Sequence, residues 1–262
     1  MEKLKEQPMI GFCLMYPAAG ILEGIGRDWD WIWIDGQHGE LDYRDILEAI
    51  RVCNLINRPC VVRVPDHSAG NIGKYMDAGA DGVMVPMVNS AEQAKSIVRA
   101  AKFPPLGIRS YGGRRPIDMF GREYANSDRA QPMLICQIET HEGFENAEEI
   151  ISVDGVDMIF FGPDDMAMQD GLEMHKPRPR GYFDEKIEAI GRLAKKYNKF
   201  AGSVFVQPDA VKRAIEIGYR LIVSAADITL LAPSSKKLTQ EIRAAIENFY
   251  VQKPQGESSG LY

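Results

Sequence analysis

The chain has 262 residues, 45% of them hydrophobic and 26% charged, which is the composition of a globular protein and allows one large β/α domain. Its net charge of −6 and its dispersed Lys and Arg residues argue against nucleic-acid binding, which needs a concentrated basic surface. No apolar run approaches the ~20 residues that cross a bilayer, and the N-terminal stretch MEKLKEQPMI lacks the apolar core of a secretory signal, so we expect a cytoplasmic protein without a membrane partner.

In chain order, the first predicted strand is Met9–Leu14, and the second extends from Trp29 to Gly36. Apolar residues at helical spacing predict a helix over 43–55, followed by a strand over 58–65. A fourth strand, DGVMVPMV, precedes a helix over 91–101. The next segment, FPPLGIRSYGGRRP, is too rich in Pro and Gly for regular structure.

The stretch from Leu134 to Ala167 contains two apolar runs that each lead to a carboxylate, Glu139 after the first and Asp165 after the second. The segment between them has helical spacing and carries Gly155 where a helix should end. The stretch is therefore a β-α-β unit, whose parallel strands bring both carboxylates to one edge of the sheet. Two adjacent carboxylates repel each other unless a cation lies between them, and oxygen ligands suit Mg²⁺ or Mn²⁺. Spacing alone leaves open the alternative that each acid only caps the helix after its strand.

Beyond this unit, the loop DGLEMHKPRPRGYF precedes a helix over 184–197, two further strands and a final amphipathic helix. Strands that are apolar on both faces alternate with helices about eight times, which predicts an α/β fold of the (β/α)₈ barrel type. A doubly wound open sheet is the alternative, although no G-x-G-x-x-G follows the first strand. We expect one barrel domain over 1–250 and a polar tail over 251–262.

Polar residues gather at the predicted C-terminal ends of the strands, where a barrel builds its active site. If Arg63 is buried within VVRVP, it needs a carboxylate or a bound anion at the barrel mouth; the alternative is a side chain that extends outward to solvent. His38 lies three residues after Asp35, whose carboxylate can hold the imidazole in one tautomer and raise its basicity, as a general base requires. The alternative for His38 is an ordinary surface histidine.

The lysines, the cysteines and the remaining histidines limit the reactions that the chain can catalyse. No lysine falls at a predicted strand end, where a Schiff-base aldolase would need one, so carbon–carbon bond chemistry in this chain requires a metal ion as the electron sink. The four cysteines have neither metal-ligand nor redox spacing, and we expect reduced core thiols. The other histidines, for which we expect structural or surface roles without a pairing partner, are His67, His141 and His175.

Taken in order, these motifs resemble the HpcH/HpaI aldolase family, which comprises metal-dependent pyruvate aldolases of the phosphoenolpyruvate/pyruvate barrel superfamily. WIDGQHGELDY is similar to the D-x-x-H segment of the family, and RVP to the strand that carries its arginine. PPLGIR resembles its P-x-G-x-R loop, and QIET and FFGPDD its two metal-bearing strand ends. The resemblance covers nearly the whole chain and implies cleavage of a 4-hydroxy-2-oxoacid to pyruvate and an aldehyde through a metal-stabilised enolate.

The resemblance also implies roles for individual residues. Glu139 and Asp165 would bind Mg²⁺ or Mn²⁺, with Co²⁺ as a further candidate. Arg63 would stabilise the enolate oxygen, and His38, oriented by Asp35, would remove the proton of the C4 hydroxyl. The expected substrate-binding residues are Gln137, Gly162, Pro163 and Asp164.

The same resemblance implies that the protein forms an oligomer. Members of the family are hexamers, trimers of dimers that exchange their last barrel helix, and the matching segment here is 235–250. Asp77 occupies the position of an aspartate that approaches the histidine of a neighbouring subunit. We therefore expect a homo-oligomer that contributes Asp77 to catalysis across an interface.

The sequence departs from the family pattern at two places. Gln37 precedes His38 where the aldolases carry Glu, and Arg109 is followed by Ser110 where they carry Gly. In the Arg-rich loop, Arg114 and Arg115 either accept an acidic substrate tail or are simply solvated. Two functions remain as alternatives: a related lyase acting on a CoA thioester or decarboxylating oxaloacetate, and a non-catalytic barrel that binds a small acid.

Overall fold

A computed structural model describes residues 2–127 and 130–252, and within them eight parallel strands close into a barrel in chain order. Each strand pairs with the next, and the last pairs with the first. The strands are β1 Met9–Leu14, β2 Trp31–Asp35, β3 Cys60–Arg63, β4 Gly82–Val85, β5 Met133–Ile138, β6 Met158–Phe161, β7 Phe200–Val204 and β8 Tyr219–Ala226. The predicted (β/α)₈ barrel is confirmed, and closure excludes the open sheet.

Helices follow the strands on the outside of the barrel. They are α1 Ala19–Ile25, α2 Tyr43–Leu55, α3 Ala69–Asp77, α4 Ala91–Ala101, α5 Arg114–Phe120, α6 His141–Glu145, α7 Ala147–Ser152, α8 Pro163–Gln169, α9 Asp184–Lys196, α10 Pro208–Ile217 and α11 Asp227–Gln252. Short 3₁₀ turns occupy Glu2–Lys5, Gly26–Asp28 and Arg122–Asn126.

Three helical predictions were wrong in detail. The segment FPPLGIRSYGGRRP is not irregular to its end, because α5 begins at Arg114 and includes Pro116, which its first turn tolerates. The single helix expected after β5 is divided into α6 and α7 at Asn146. The apolar turn expected after β8 is the start of α11, which continues through Pro233 to Gln252. Residues 253–262 of the predicted tail lie outside the described residues.

The interior of the barrel is packed with large side chains, including Trp31, Trp33 and Phe160. Small residues on neighbouring strands make room for them: a Cβ atom at Gly11 would lie 2.5 Å from the Trp31 indole, and one at Gly202 would lie 2.6 Å from the Phe160 ring. Such filling leaves no lumen through the barrel. Within the barrel, space for a ligand is therefore confined to the layer above these rings, at the C-terminal ends of the strands.

The last helix, α11, packs poorly on its own barrel. Its main contacts are with β8 and β1, and every residue from 228 to 250 is exposed, including the apolar stripe Leu231, Leu238, Ile242, Ile246 and Phe249. Ile10, in β1, is 40% exposed although an outer helix normally covers the strands of such a barrel. A helix with an exposed apolar stripe and a partly exposed isoleucine on β1 therefore coexist in one chain.

The cysteines and the helices were examined for disulfides and for membrane spans. All four cysteines, Cys13, Cys53, Cys60 and Cys136, are free and buried, as predicted for core thiols. Among the helices of residues 2–127 and 130–252, none combines the length and the apolar character that a membrane span requires.

Candidate active site

The ends of β2 and β3 bring Asp35 and Arg63 into a buried ion pair. The two residues are direct partners in the strand register. Arg63 Nε donates to Asp35 Oδ1 at 2.9 Å and Nη2 donates to Oδ2 at 2.5 Å. Asp35 is 1% exposed and Arg63 7%, so each charge compensates the desolvation of the other. The carboxylate partner predicted for a buried Arg63 is therefore Asp35.

The guanidinium of Arg63 is fixed on a second side by Trp33, whose ring centroid lies 4.7 Å from Cζ. Such stacking favours a cation over the face of an aromatic ring. Among the described residues, Arg63 Nη1 has no hydrogen-bond partner. The pair thus holds the guanidinium rigidly and leaves one donor group for a ligand.

The expected pairing of Asp35 with the His38 ring was wrong. Asp35 Oδ1 accepts hydrogen bonds from the backbone N–H groups of Gln37 at 3.1 Å and His38 at 3.2 Å, and both carboxylate oxygens are occupied by Arg63. The carboxylate therefore shapes the loop that carries His38, whose side chain is exposed. A buried guanidinium binds the carboxylate more strongly than a solvated imidazole can.

The end of β5 contributes Glu139 and Gln137, which point into the barrel mouth. Glu139 is 1% exposed; its Oε1 accepts from the Met87 N–H at 2.8 Å and its Oε2 accepts from Gln137 Nε2 at 2.6 Å. Burial raises the pKa of the Glu139 carboxyl to about 7, and the negative charge of Asp165 also raises it, whereas the Met87 N–H and Arg63 oppose the change. The burial of this carboxylate thus outweighs the stabilising effect of the Met87 N–H and of Arg63.

The turn after β6 brings Asp165 beside this group. Asp165 lies in the first turn of α8 and is half-buried. Gly162, at the start of that helix, is buried so close to β5 that a Cβ atom there would lie 2.8 Å from Glu139 Oε2 and 2.9 Å from Gln137 Nε2. Pro163 begins the helix and is half-buried, whereas the exposed Asp164 side chain pairs with Arg178 at 2.8 Å. The backbone at 162–163 therefore borders the site, but the side chain of Asp164 is engaged elsewhere.

The residues present fit a hard divalent cation. Within 2–127 and 130–252 no cluster of three or more His, Cys, Asp or Glu side chains is arranged to hold a metal ion, so the chain offers the pair Glu139 and Asp165. Mg²⁺ commonly takes one or two carboxylates and completes its coordination with water and substrate oxygens. Gln137 Oε1 is buried at the same place and has no hydrogen-bond partner in the described part of the chain. The two carboxylates and this amide oxygen form an acceptor-rich pocket that a cation would complete.

Comparison with known proteins identifies the family of this chain. The family model described as HpcH/HpaI aldolase/citrate lyase matches residues 19–233. The chain belongs to this family. It is 37% identical over 229 residues to the 4-hydroxy-2-oxovalerate aldolase of Novosphingobium aromaticivorans, and the match covers 86% of each chain. It is 33% identical over 239 residues to the hydroxypyruvate/pyruvate aldolase of Agrobacterium fabrum, covering 89% of this chain and 88% of that relative.

Solved structures agree with this assignment. An HpcH/HpaI aldolase/citrate lyase family protein from Burkholderia cenocepacia superposes with a TM-score of 0.82 at 29% identity, covering 92% of this chain and 98% of that one. The resemblance predicted from the sequence is confirmed for the family and for the barrel.

The raised pKa of Glu139 gives this HpcH/HpaI family member a testable pH dependence. Between its ordinary value of 4.5 and the folded value of about 7, the folded state holds a proton that the unfolded chain has released. The free energy of unfolding of the metal-free protein should therefore fall as the pH rises through this window. Urea unfolding of EDTA-treated protein at about pH 5 and about pH 8 measures the change. Glu139→Gln should reduce the slope; an equal slope in both proteins would contradict the assignment.

Asp77 is the last residue of α3, the helix that follows β3. The helix α3 leaves the barrel mouth after β3 and returns along the outside for about 12 Å, so that its last residue, Asp77, is near the opposite end. There Asp77 Oδ1 accepts from Arg109 Nη2 at 2.6 Å. Asp77 and Arg109 both line a cleft of about 1360 Å³. Within the described residues Asp77 pairs with Arg109, and its predicted approach to the histidine of a neighbouring subunit stays a prediction.

The same cleft contains the Arg-rich loop. Arg114 pairs with Asp118, and Arg115 donates to the Ala78 carbonyl at 2.9 Å and to Asn54 Oδ1 at 2.6 Å. Both side chains are therefore engaged by groups of their own chain, and their role toward a substrate tail stays a prediction.

Two other predicted loop histidines have partners, contrary to expectation. His141 Nε2 lies 2.7 Å from Asp170 Oδ1, and His175 lies 3.6 Å from a Glu173 oxygen on an exposed surface. The first contact joins the start of α6 to the end of α8, and the second lies within one loop, which agrees with structural rather than catalytic roles.

Asp227 is a residue of the mouth that the sequence interpretation missed. It is 2% exposed, and its Oδ2 accepts from the N–H groups of Met15 at 2.9 Å and Tyr16 at 3.0 Å. The carboxylate thereby fixes the loop after β1. The signal was available, because Asp227 follows β8 directly, as Glu139 follows β5.

Proposed function

We propose that this protein is a metal-dependent aldolase that cleaves a 4-hydroxy-2-oxoacid to pyruvate and an aldehyde. The observation that carries the proposal is the barrel mouth itself, where the Arg63 guanidinium, clamped by Asp35, lies beside the carboxylates of Glu139 and Asp165. The names of the two relatives, a 4-hydroxy-2-oxovalerate aldolase and a hydroxypyruvate/pyruvate aldolase, support the same reaction class.

Cleavage breaks the C3–C4 bond and leaves its electron pair on an enolate of pyruvate. Glu139 and Asp165 would hold the divalent ion, which supplies Lewis-acid stabilisation of the developing negative charge when it is bound. The free Nη1 of Arg63 would donate to the C2 oxygen, where that charge accumulates, and the ion pair with Asp35 fixes its direction. Gln137, together with the backbone at Gly162 and Pro163, would border the carboxylate end of the oxoacid.

His38 is the proposed general base for the C4 hydroxyl. We expect His38→Ala to slow retro-aldol cleavage by about 10²–10⁴-fold, the usual contribution of a positioned base. Oxaloacetate is the internal control, because its decarboxylation forms the same enolate without a C4 hydroxyl to deprotonate. Steady-state rates with both substrates separate the roles: equal losses in the two reactions would contradict the assignment.

The first test of the function is pyruvate release from a panel of 4-hydroxy-2-oxoacids and oxaloacetate. The protein is stripped with EDTA and assayed before and after addition of Mg²⁺, Mn²⁺ or Co²⁺. Release that depends on added metal supports the aldolase proposal, and the panel ranks the aldehydes and the metals. No release with any metal would overturn it and direct attention to a CoA-thioester lyase or to a binding barrel.

We further propose a homo-oligomer in which α11 is exchanged between subunits. The exposed apolar stripe of α11 and the uncovered Ile10 on β1 support this arrangement, since the helix of one copy would cover the strand face of another. A trimer of such dimers, the hexamer of the family, would let Asp77 reach the His38 of a neighbour. Sedimentation equilibrium of the full chain measures the assembly, and a monomer would contradict it.

We also propose that the protein is cytoplasmic. The four free, buried cysteines support it, because thiols persist in a reducing compartment.

A further inference from the structure

The loops after β3 and β4 are joined by His67, a half-buried residue without a role in the mechanism above. Its Nε2 lies 2.5 Å from the carbonyl oxygen of Pro86, which can only accept, so Nε2 carries the proton and donates. His67 follows Arg63 by four residues, whereas Pro86 follows the last residue of β4. One side chain thus ties together two loops of the barrel mouth.

The residue after Pro86 has an uncommon backbone conformation. Met87 adopts φ of +53°, in the left-handed region that residues with a Cβ atom rarely occupy. Such a conformation persists only where its surroundings enforce it, and it is frequent at functional sites. Here it directs two successive N–H groups to β5 and its end: Met87 N–H donates to Glu139 Oε1 at 2.8 Å, and Val88 N–H donates to the Gln137 carbonyl at 3.1 Å.

These contacts connect His67 to Glu139. The His67 imidazole holds the Pro86 carbonyl, that peptide leads into the left-handed Met87, and the Met87 N–H fixes one oxygen of the buried carboxylate. A carboxylate fixed in one orientation loses less freedom when it binds a cation, and groups that orient metal ligands strongly affect metal affinity. The other oxygen of Glu139 is fixed by Gln137, so both oxygens are oriented.

We propose that His67 is a positioning residue that acts through Pro86 and Met87 to orient Glu139 for a divalent cation. The inference rests on the proposed function, because it concerns the carboxylate pair that would hold the metal. His67 itself is not proposed to contact the substrate.

The test measures Mn²⁺ binding by calorimetry on the full-length, EDTA-treated protein. We expect His67→Ala to weaken the dissociation constant by about 10–100-fold, the usual effect of losing a group that orients a metal ligand. His67→Gln keeps an amide N–H near the position of Nε2 and should bind within about threefold of the wild type. His175→Ala, which removes an exposed histidine, is the matched control and should leave binding unchanged. Wild-type affinity in His67→Ala would overturn the inference.

A second variant separates positioning from a general loss of structure. Met87→Gly keeps the N–H group and adopts φ of +53° without steric cost. The hydrogen bond from His67 to the Pro86 carbonyl is then less important for holding this backbone conformation. The fold-loss of Mn²⁺ affinity caused by His67→Ala should therefore be smaller in the Met87→Gly background than in the wild type. An equal or larger loss would contradict the route through Met87. Absence of Mn²⁺ binding in the wild type would overturn the proposed metal site itself, which distinguishes the two failures.

Discussion

Asp165→Ala is expected to reduce metal-dependent pyruvate release by about a thousandfold or more while the barrel stays folded. The variant removes one of the two carboxylates that the chain offers to a divalent cation, and the loss corresponds to several kcal/mol of transition-state stabilisation. Asp165 is half-buried in the first turn of α8, and its side chain hydrogen-bonds to Glu139, the other carboxylate of the proposed metal site. We therefore expect loss of chemistry without loss of fold.

The metal-free form of this variant gives an independent readout. The charge of Asp165 helps to raise the pKa of Glu139, so its removal should lower that pKa toward the ordinary value for a glutamate. At about pH 8, where Glu139 of the wild type is mostly ionised, removal of this repulsion should also leave the metal-free protein at least as stable as the wild type in urea. A large loss of stability would show that Asp165 acts as a structural cap rather than as a ligand.

The matched control is Asp209→Ala. Asp209 lies in the first turn of α10, which, like α8, begins with a proline, but it is exposed and follows β7. An acid that only caps its helix should give a small change in stability and none in turnover. If both variants lost activity equally, the effect could not be assigned to a cation between Glu139 and Asp165.

The sequence was sufficient for the barrel and for the carboxylate pair. Strands that are apolar on both faces, separated by segments of helical period, predict the fold because these patterns are local, and α2 and α4 were predicted to the residue. Glu139 and Asp165 were found by one rule, that the ends of parallel strands meet at one edge. The register of β5 and β6 agrees with that placement.

The missed features depend on contacts between segments that are distant in sequence. Asp35 was assigned to His38, three residues away, although its partner is Arg63 on the adjacent strand, which strand register decides. The left-handed Met87 has no local signal, because neither Gly nor Asn occupies the position and the hydrogen bonds from its loop to β5 enforce it. The full length of α11 was missed because its first turns, 227–233, contain Pro233 and were interpreted as a separate apolar turn.

Arg63→Ala is expected to combine a large loss of activity with a large loss of stability. The variant removes the donor proposed for the C2 oxygen, and losing one such donor typically slows catalysis by about 10²–10³-fold. It also leaves Asp35, which is 1% exposed, as a buried charge without its partner. Breaking a buried pair in this way costs about 3–5 kcal/mol of unfolding free energy.

The two effects are separable by a second substitution at Asp35. Asp35→Asn removes the buried charge but keeps an oxygen that can accept from the N–H groups of Gln37 and His38. The double variant Asp35→Asn with Arg63→Ala should therefore recover much of the stability lost in Arg63→Ala, as measured by urea unfolding. Its pyruvate release should remain low, because no guanidinium faces the developing enolate. Recovery of activity together with stability would mean that Arg63 only supports the fold, and the donor role would have to be assigned to another group of the barrel mouth.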